Sequence, residues 1–545
     1  MTGSSAHLTH RFRTLLHRLQ PECIALCLSF FVFLVSSAVW AQSPAVSSNS
    51  SESEAAKAYR SGMSLVKVGR LDDAITSLEN GLRADPQNTT LLNMIGATYT
   101  LKGDFGHAET YLIKCLQSDP GFVPAQKNLA INYFNSGKYD SAITEFQKLK
   151  EMPGDSRSVA LLFLGIIAEK QGNFGQSVSL LGESGDVVYQ YPQAILSLGR
   201  SLFELDQTQK ADDVLQRLDA MSGVTAAEYF KAGHLYSQRR QYHQALADFD
   251  RANKVDPGLA GLQYQRALVL DQLGRSDEAL KTLKNLVSIK PDADALNLLA
   301  DVAKRAGDLN LAIQSLRQAA LLAPEKEVNY LDFSTLCMDY ENYPLALQAA
   351  DVGLAHVPGS YRLQVQKGAI LDKLGRFGEA EKIVLKASKL QQDNSVALLS
   401  LAIIQTHAGE LQDAINTLSS AIKEFPSNSQ MHYYLGVALE QTLHHDARAA
   451  KAFRGAIRLN PSFADSYYHL AKLYLKKDPK LAEQNLLACL RLDPHHLSAE
   501  YSLGRLYLKT GRRAKGQALI DAFKRQQESQ KLKAQQKPSL ELAQR

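Results

Sequence analysis

The chain of 545 residues has only five cysteines, and their spacing indicates neither a disulfide framework nor a zinc site. Cys23 and Cys27 lie in an apolar leader, which leaves Cys115, Cys337 and Cys489 in the body of the chain. These three are far apart in sequence, and each falls on an apolar helix position. We therefore expect three small buried hydrophobic residues rather than a redox or metal centre.

Catalytic motifs that can be recognised from a single sequence are also missing. There is no glycine-rich phosphate loop, no G-x-S-x-G nucleophile turn and no H-E-x-x-H metal motif. The paired histidines His444–His445 and His495–His496 fall in predicted turns, where adjacent side chains rarely converge on one metal ion. The sequence thus indicates no enzyme, no cofactor and no metal site.

Basic residues are in slight excess, but they are not clustered as in a nucleic-acid-binding protein. Lys and Arg number 61 against 56 Asp and Glu, which gives a formal net charge of +5. From Arg505 to the end, eleven basic residues stand against three acidic ones, so the body before this tail is mildly acidic. This distribution lacks the basic stripe that nucleic-acid binding requires, and no nucleic-acid partner is expected.

The first 41 residues are typical of an export signal. Arg11, Arg13 and Arg18 precede an apolar run over residues 23–40, and a cleavage site is expected after residue 41. The run is nearly long enough to span a bilayer, so an uncleaved N-terminal membrane anchor is the alternative. In both cases the charge before the run predicts export of the remaining chain, which would be periplasmic, secreted or membrane-anchored.

Residues 226–259 read as two short amphipathic helices followed by a stop. In the first helix Tyr229, Gly233 and Tyr236 recur at the spacing of one helix face. The second helix repeats this spacing with Tyr242, Ala245, Phe249 and Ala252. Pro257 cannot continue a helix, so the chain must turn there. One such hairpin cannot bury its own apolar face and needs a neighbour on each side.

The proline that ends the second helix recurs along the chain at a fixed period. The prolines that follow a helical pattern are Pro86, Pro120, Pro257, Pro291, Pro324, Pro358, Pro426, Pro461 and Pro494. The first and last of these are separated by twelve periods of 34 residues. The small residues of the first helix are Gly62, Gly96, Gly165, Gly199, Gly233, Gly368, Gly436 and Gly504. The alanines that open the second helix are Ala74, Ala108, Ala142, Ala245, Ala279, Ala312, Ala346, Ala380 and Ala414.

This unit resembles the tetratricopeptide repeat, whose period is 34 residues. The resemblance implies an all-α fold, a right-handed α-solenoid (superhelix) of about fourteen tetratricopeptide helix-turn-helix repeats between Ala55 and about Gln526. The weakest copies lack their prolines, and Gly182–Asp186 should interrupt a second helix, so a flexible joint is predicted there. The alternative is sequence drift within an intact array. The expected segments are a leader (1–41), a Ser-rich disordered linker (42–54), an N-terminal array (55–157), degenerate repeats (158–225), a C-terminal array (226–526) and a basic polar capping tail (527–545).

The resemblance also implies that the first helices line an inner surface that binds partners. The fifth residues of the units, which would face this surface, include Tyr59, Lys127, Leu162, Phe230, Tyr264, Leu331, Tyr433, Tyr468 and Tyr501. Basic residues accompany the last tyrosines at the neighbouring positions Lys472, Lys476, Arg505 and Lys509. We hypothesise that Tyr433, Tyr468, Tyr501 and these four cations bind an acidic segment of a partner. The alternative is that they are ordinary solvated lysines beside half-buried tyrosines.

The expected function is that of a non-enzymatic, exported scaffold for protein or peptide partners. Resemblance to exported members of the family implies cell-envelope assembly or polysaccharide export as a more specific role. Contact with a membrane is expected only through the leader, if it is uncleaved. The alternative function is a regulatory or substrate-presenting subunit of an enzyme complex whose catalytic chain is separate.

Overall fold

A computed structural model describes residues 53–390, 394–442 and 446–536. Over these residues the chain forms 28 α-helices and no β-strand. The helices follow one another in pairs, so the described chain contains fourteen hairpins, and the predicted all-α solenoid is confirmed. The predicted leader, nearly all of the linker, His444–His445 and residues 537–545 lie outside the described residues.

The chain divides into two compact units, with the boundary between Gln265 and Arg266. The helices of the N-terminal unit are α1 (Glu54–Lys67), α2 (Leu71–Ala84), α3 (Thr89–Lys102), α4 (Phe105–Ser118), α5 (Val123–Asn135), α6 (Tyr139–Lys150), α7 (Asp155–Lys170), α8 (Phe174–Glu183), α9 (Pro192–Glu204), α10 (Thr208–Leu215), α11 (Ala226–Gln238) and α12 (Tyr242–Val255). Helix α13 (Leu262–Gln272) contains the boundary.

The C-terminal unit continues the same alternation of helices. Its helices after α13 are α14 (Ser276–Ile289), α15 (Ala293–Arg305), α16 (Leu309–Leu322), α17 (Glu327–Asp339), α18 (Tyr343–His356), α19 (Tyr361–Lys373), α20 (Phe377–Ala387), α21 (Ser395–Ala408), α22 (Leu411–Glu424), α23 (Ser429–Glu440), α24 (Asp446–Leu459), α25 (Ala464–Tyr474), α26 (Pro479–Leu492), α27 (Leu497–Lys509) and α28 (Arg513–Gln536). Odd-numbered helices are the first helices of their hairpins, and even-numbered helices are the second.

Hairpins with a glycine at the small position of the first helix close where this glycine meets a large side chain of the second helix. In the hairpin of α11 and α12, a Cβ atom added to Gly233 would lie 2.7 Å from the Phe249 ring and 3.0 Å from the carbonyl oxygen of Ala245. Phe249 and Ala245 are completely buried. The small residues thus set the distance between the two helices, as the sequence pattern predicts.

In the described part of the chain, most turns between the two helices of a hairpin contain one residue in the left-handed region. In most hairpins this residue is a glycine, as at Gly103, which has a φ of 81°. Asp206, Arg240 and Glu341 take the same position with φ values of 57°, 60° and 60°. Side chains other than glycine are strained there, so in these three hairpins the packing of the helices holds the turn.

The second helices of the degenerate repeats are short, as the glycine-rich sequence indicates. Helix α8 ends at Glu183 and is followed by a 3-10 segment at Gly185–Gln190. Helix α10 ends at Leu215 and is followed by a second 3-10 segment at Gln216–Ala220. In these two hairpins a 3-10 segment, rather than a proline, follows the second helix where the chain leaves the hairpin. The flexible joint over residues 158–225 stays a prediction.

First helices of neighbouring hairpins pack directly on one another at several places within each unit. Helix α7 contacts α9 in the N-terminal unit, and α19 contacts α21 in the C-terminal unit. In the described part of the chain, the second helices make no comparable contact with one another. The first helices therefore lie on the shorter, inner side of each unit, and the second helices lie on the outer side.

A buried carboxylate on an outer helix predicts a pH-dependent stability. Asp248 in α12 lies 2.6 Å from Arg251, which also contacts Asp219 at 2.7 Å. Burial raises the pKa of Asp248 from its ordinary 3.8 to about 6, although Arg251 opposes the rise. Between these values the folded chain binds more protons than the unfolded chain, so this contribution to stability decreases as pH rises.

We expect the ionisation of Asp248 to lower the free energy of unfolding by about 1 kcal/mol as the pH rises from about 5 to about 7.5. Urea unfolding of the wild type and of Asp248→Asn at these two pH values measures this loss. Because the amide does not titrate, the variant should gain stability relative to the wild type by that amount at the higher pH. If the difference in free energy of unfolding between the two proteins is the same at both pH values, the pKa of Asp248 is not raised.

Candidate protein-binding surface

The predicted site residues lie on three successive first helices near the end of the chain. Tyr433 is on α23, Tyr468 and Lys472 are on α25, and Lys476 lies in the turn two residues after the end of α25. The remaining members, which all lie on α27, are Tyr501, Arg505 and Lys509. We call these seven residues the C-terminal aromatic–basic surface.

Tyr433 forms part of an aromatic cluster that two hairpins share. Its ring centroid lies 4.7 Å from that of Phe463, 5.6 Å from that of His469 and 6.0 Å from that of Phe453. Burial, with a smaller contribution from Asp465, raises the pKa of the Tyr433 hydroxyl. This hydroxyl therefore stays protonated and can donate a hydrogen bond.

Tyr468 lies between two histidines, at centroid distances of 5.2 Å from His469 and 4.9 Å from His496. His496 caps α27, because its Nδ1 accepts a hydrogen bond of 3.0 Å from the backbone N–H of Ala499. Its Nε2 lies 3.1 Å from a carboxylate oxygen of Asp465 on α25. These two bonds fix the imidazole, and the imidazole in turn fixes one side of Tyr468.

Tyr501 is the most open aromatic residue of this surface, with 39% of it exposed. One side of its ring packs on Phe523 of α28 at 5.0 Å. The guanidinium of Arg505 lies 5.8 Å from the centroid of the same ring. Tyr501 and Arg505 thus form an exposed cation–π pair, which offers an incoming anion both a charge and a flat apolar face.

The basic side chains of this surface are exposed, and one of them is already engaged. Lys476, Arg505 and Lys509 are exposed on the C-terminal unit. The ammonium of Lys472 lies 3.2 Å from an oxygen of Glu440, the last residue of α23. The other oxygen of Glu440 lies 2.6 Å from Nδ1 of His469. Glu440 was not predicted as a member of the site.

Comparable contacts between an acidic and a basic side chain recur on the inner side of both units. Near the end of a first helix, a carboxylate with little exposure contacts a basic side chain of the next first helix. The contacts are Glu169 with Arg200 at 2.7 Å, Asp271 with Arg305 at 2.7 Å and Asp372 with His407 at 2.8 Å. A signal was present in the sequence, because acid and base are separated by 31 to 35 residues.

The fifth positions of the units are not uniformly accessible, which corrects one expectation. Leu162 is only 1% exposed and Leu331 only 8%, so neither can line an open groove. The reason is visible at Leu162, because every residue of α7 from Val159 to Glu169 is buried. This helix is apolar on all sides and is enclosed by its neighbours. Among the aromatic fifth positions, Tyr501 is exposed, whereas those of the other units are half-buried, namely Tyr59, Phe230, Tyr264, Tyr433 and Tyr468.

Other candidate chemistry is not found in the described part of the chain. Cys115, Cys337 and Cys489 are free and buried, as predicted. Within residues 53–390, 394–442 and 446–536, no group of three or more His, Cys, Asp or Glu side chains is placed to hold a metal ion. None of the helices there reaches the length and hydrophobicity of a membrane span.

Family models described as tetratricopeptide repeat match most of the described hairpins. The matched residues are 59–121, 193–219, 236–302, 293–326, 361–394, 399–442 and 464–496. A solved structure, that of yeast Tom70, is 15% identical with a TM-score of 0.38, and the match covers 86% of this chain and 91% of that one.

Three curated relatives each match part of this chain. The TPR repeat-containing protein PA4667 of Pseudomonas aeruginosa is 29% identical over 37% of this chain. Cellulose synthase 2 operon protein C of Komagataeibacter xylinus is 23% identical over 78%, and the human protein O-mannosyl-transferase TMTC3 is 20% identical over 76%. The matches cover 35%, 29% and 40% of these three relatives. The family models cover more than half of this chain, which therefore belongs to the tetratricopeptide repeat family of protein-interaction scaffolds.

Proposed function

We propose that this protein is a scaffold that binds an acidic segment of a partner protein on its C-terminal aromatic–basic surface. The observation that carries the proposal is the exposed pair of Tyr501 and Arg505. The exposed cation Lys509 lies on the same helix, and the exposed cation Lys476 lies in the preceding hairpin. Aromatic rings supply apolar contact area, and the cations supply attraction and selection for carboxylates. Solvated lysines beside half-buried tyrosines remain the competing interpretation, and they predict no preference for acidic ligands.

The proposal places this scaffold outside the cytoplasm, in assembly of the cell envelope or in polysaccharide export. The support for export is the sequence of the first 41 residues, in which basic residues precede an apolar run. The support for the process is that one relative is named cellulose synthase 2 operon protein C. Fractionation of cells that express the full chain tests the location.

Reversing two charges of the surface should weaken binding of an acidic peptide at least about tenfold at moderate salt, because attraction becomes repulsion at two contact points. The variant is Lys472→Glu with Arg505→Glu in the full chain, and the probe is a fluorescently labelled hexaglutamate peptide. Its dissociation constant is measured by anisotropy at two salt concentrations.

The matched control reverses Lys281 and Lys284, which are exposed on the outer helix α14 and give the same change in net charge. The control variant should bind as the wild type does. If the wild type does not bind the peptide, or if both variants lose the same affinity, the proposed site is wrong. If the wild type binds the peptide and only the surface variant loses affinity, crosslinking in the native compartment can identify the natural partner.

The alternative, a subunit of an enzyme complex with a separate catalytic chain, has one observation in its favour. A relative that matches over 76% of this chain is named as a transferase, although the match covers only 40% of that relative. The alternative predicts that a catalytic chain and its activity copurify with this protein. Copurification of several non-catalytic partners favours the scaffold.

A further inference from the structure

We infer that Glu440 is an intramolecular competitor at the C-terminal aromatic–basic surface, where it holds Lys472 in place of a partner's carboxylate and thereby limits affinity for acidic segments. This inference rests on the proposed function and adds a residue that controls it. Glu440 is the last residue of α23, and its side chain is only 9% exposed. The side chain of Lys472 is 52% exposed, so it remains accessible to a ligand.

The contacts of Glu440 divide its two oxygens between two bases of the next hairpin. One oxygen accepts a hydrogen bond of 2.6 Å from His469, and the imidazole must be the donor because an ionised carboxylate can only accept. The second oxygen is buried and lies 3.2 Å from the ammonium of Lys472, with which it forms an ion pair. Because the side chain of Lys472 is half exposed, a ligand carboxylate can compete with Glu440 for this ammonium.

Glu440 carries a full negative charge at neutral pH. Burial acts to raise the pKa of Glu440, but the hydrogen bond from His469 and the charges of His469 and Lys472 hold it below its ordinary value. A fixed anion beside Lys472 has the chemistry of the ligand that the surface is proposed to bind. It lowers the positive potential that an incoming carboxylate meets.

The opposite interpretation is that Glu440 positions Lys472 for the ligand. The two interpretations predict effects of opposite sign when the charge of Glu440 is removed. Competition predicts tighter binding of an acidic peptide, since one repulsive charge is lost. Positioning predicts weaker binding, since the lysine loses its orientation.

The chain provides a matched control for a carboxylate that links two first helices through histidine. Asp372 on α19 contacts His407 on α21 at 2.8 Å, and its side chain is 7% exposed. Neither residue belongs to the C-terminal aromatic–basic surface. Loss of charge at Asp372 therefore reports the general effect of removing such a link.

The experiment measures binding of the labelled hexaglutamate peptide to the full chain and to Glu440→Gln. Glutamine keeps an acceptor for His469 and removes the charge, so the variant should fold and bind about fivefold more tightly. Asp372→Asn should bind as the wild type does. In a Lys472→Met background, Glu440→Gln should have a clearly smaller effect, because the two charges act on each other.

Unchanged or weaker binding by a folded Glu440→Gln variant overturns the inference. If this variant does not fold, the peptide affinities of Lys472→Met and Arg505→Met test the inference instead. Competition predicts that loss of the partly neutralised Lys472 weakens binding less than loss of Arg505, and an equal or greater loss overturns it. Failure of the wild type to bind the peptide overturns the proposed function itself, whereas wild-type binding without the Glu440 effect overturns only this inference.

Discussion

Replacing Phe453 with alanine should lower the free energy of unfolding of the last hairpins by about 3–5 kcal/mol, the usual cost of such a cavity. Phe453 in α24 is completely buried. A Cβ atom added to Gly436 of the paired first helix would lie 2.5 Å from its ring. The ring also stacks on His469 at 5.4 Å and contacts Tyr433 at 6.0 Å. Loss of this ring removes the support beneath the binding surface.

Two measurements on Phe453→Ala check this expectation. Hydrogen exchange of the amides in α23 to α28 should accelerate, and the affinity for the hexaglutamate peptide should fall in parallel. The control is Phe377→Ala at the start of α20, where the ring is only half-buried and the expected cost is less than half as large. Equal costs at the two positions would contradict the packing described for Phe453.

Replacing Gly233 with alanine should destabilise the hairpin of α11 and α12 by about 2 kcal/mol, because the added methyl group has no space. The new Cβ atom would lie 2.7 Å from the ring of Phe249 and 3.0 Å from the carbonyl oxygen of Ala245. The ring can rotate, but the carbonyl belongs to the backbone of α12. The two helices must therefore move apart, which also loosens their contacts with the adjacent hairpins.

Gly378→Ala is the matched control for Gly233→Ala. Gly378 lies in α20, and no atom outside its immediate surroundings comes within 4 Å of the added Cβ atom. Alanine favours a helix over glycine, so this variant should be more stable than the wild type by about 0.5–1 kcal/mol. Urea unfolding of both variants should show opposite signs. Two variants of similar stability would show that Gly233 is not a close-contact position.

The fold could be predicted from the sequence because one structural unit is repeated many times. The period of 34 residues, the small residue of the first helix and the alanine of the second are each visible without coordinates. The turn was harder to predict, because its left-handed residue is usually a glycine but is Asp206, Arg240 or Glu341 in three hairpins. Those residue types do not by themselves indicate a left-handed backbone.

The candidate site was only partly predictable. The sequence indicated Tyr501 and Arg505 as neighbours because four residues separate them on one helix, and the structure places them in contact. Glu440 was missed, although its separation of 32 residues from Lys472 lies within the range of the other acid–base contacts between first helices. The sequence also did not show that Leu162 is buried, since burial depends on how neighbouring hairpins enclose α7.

The three buried thiols give the chain internal reporters of local opening. Burial raises the pKa of Cys115 to about 11 and that of Cys337 to about 12, so neither thiol is a reactive thiolate while its hairpin is closed. An alkylating reagent can therefore modify each cysteine only during a transient opening of its own surroundings. The distance between Cys115, Cys337 and Cys489 along the sequence makes unmodified wild-type protein a probe of where a solenoid opens first.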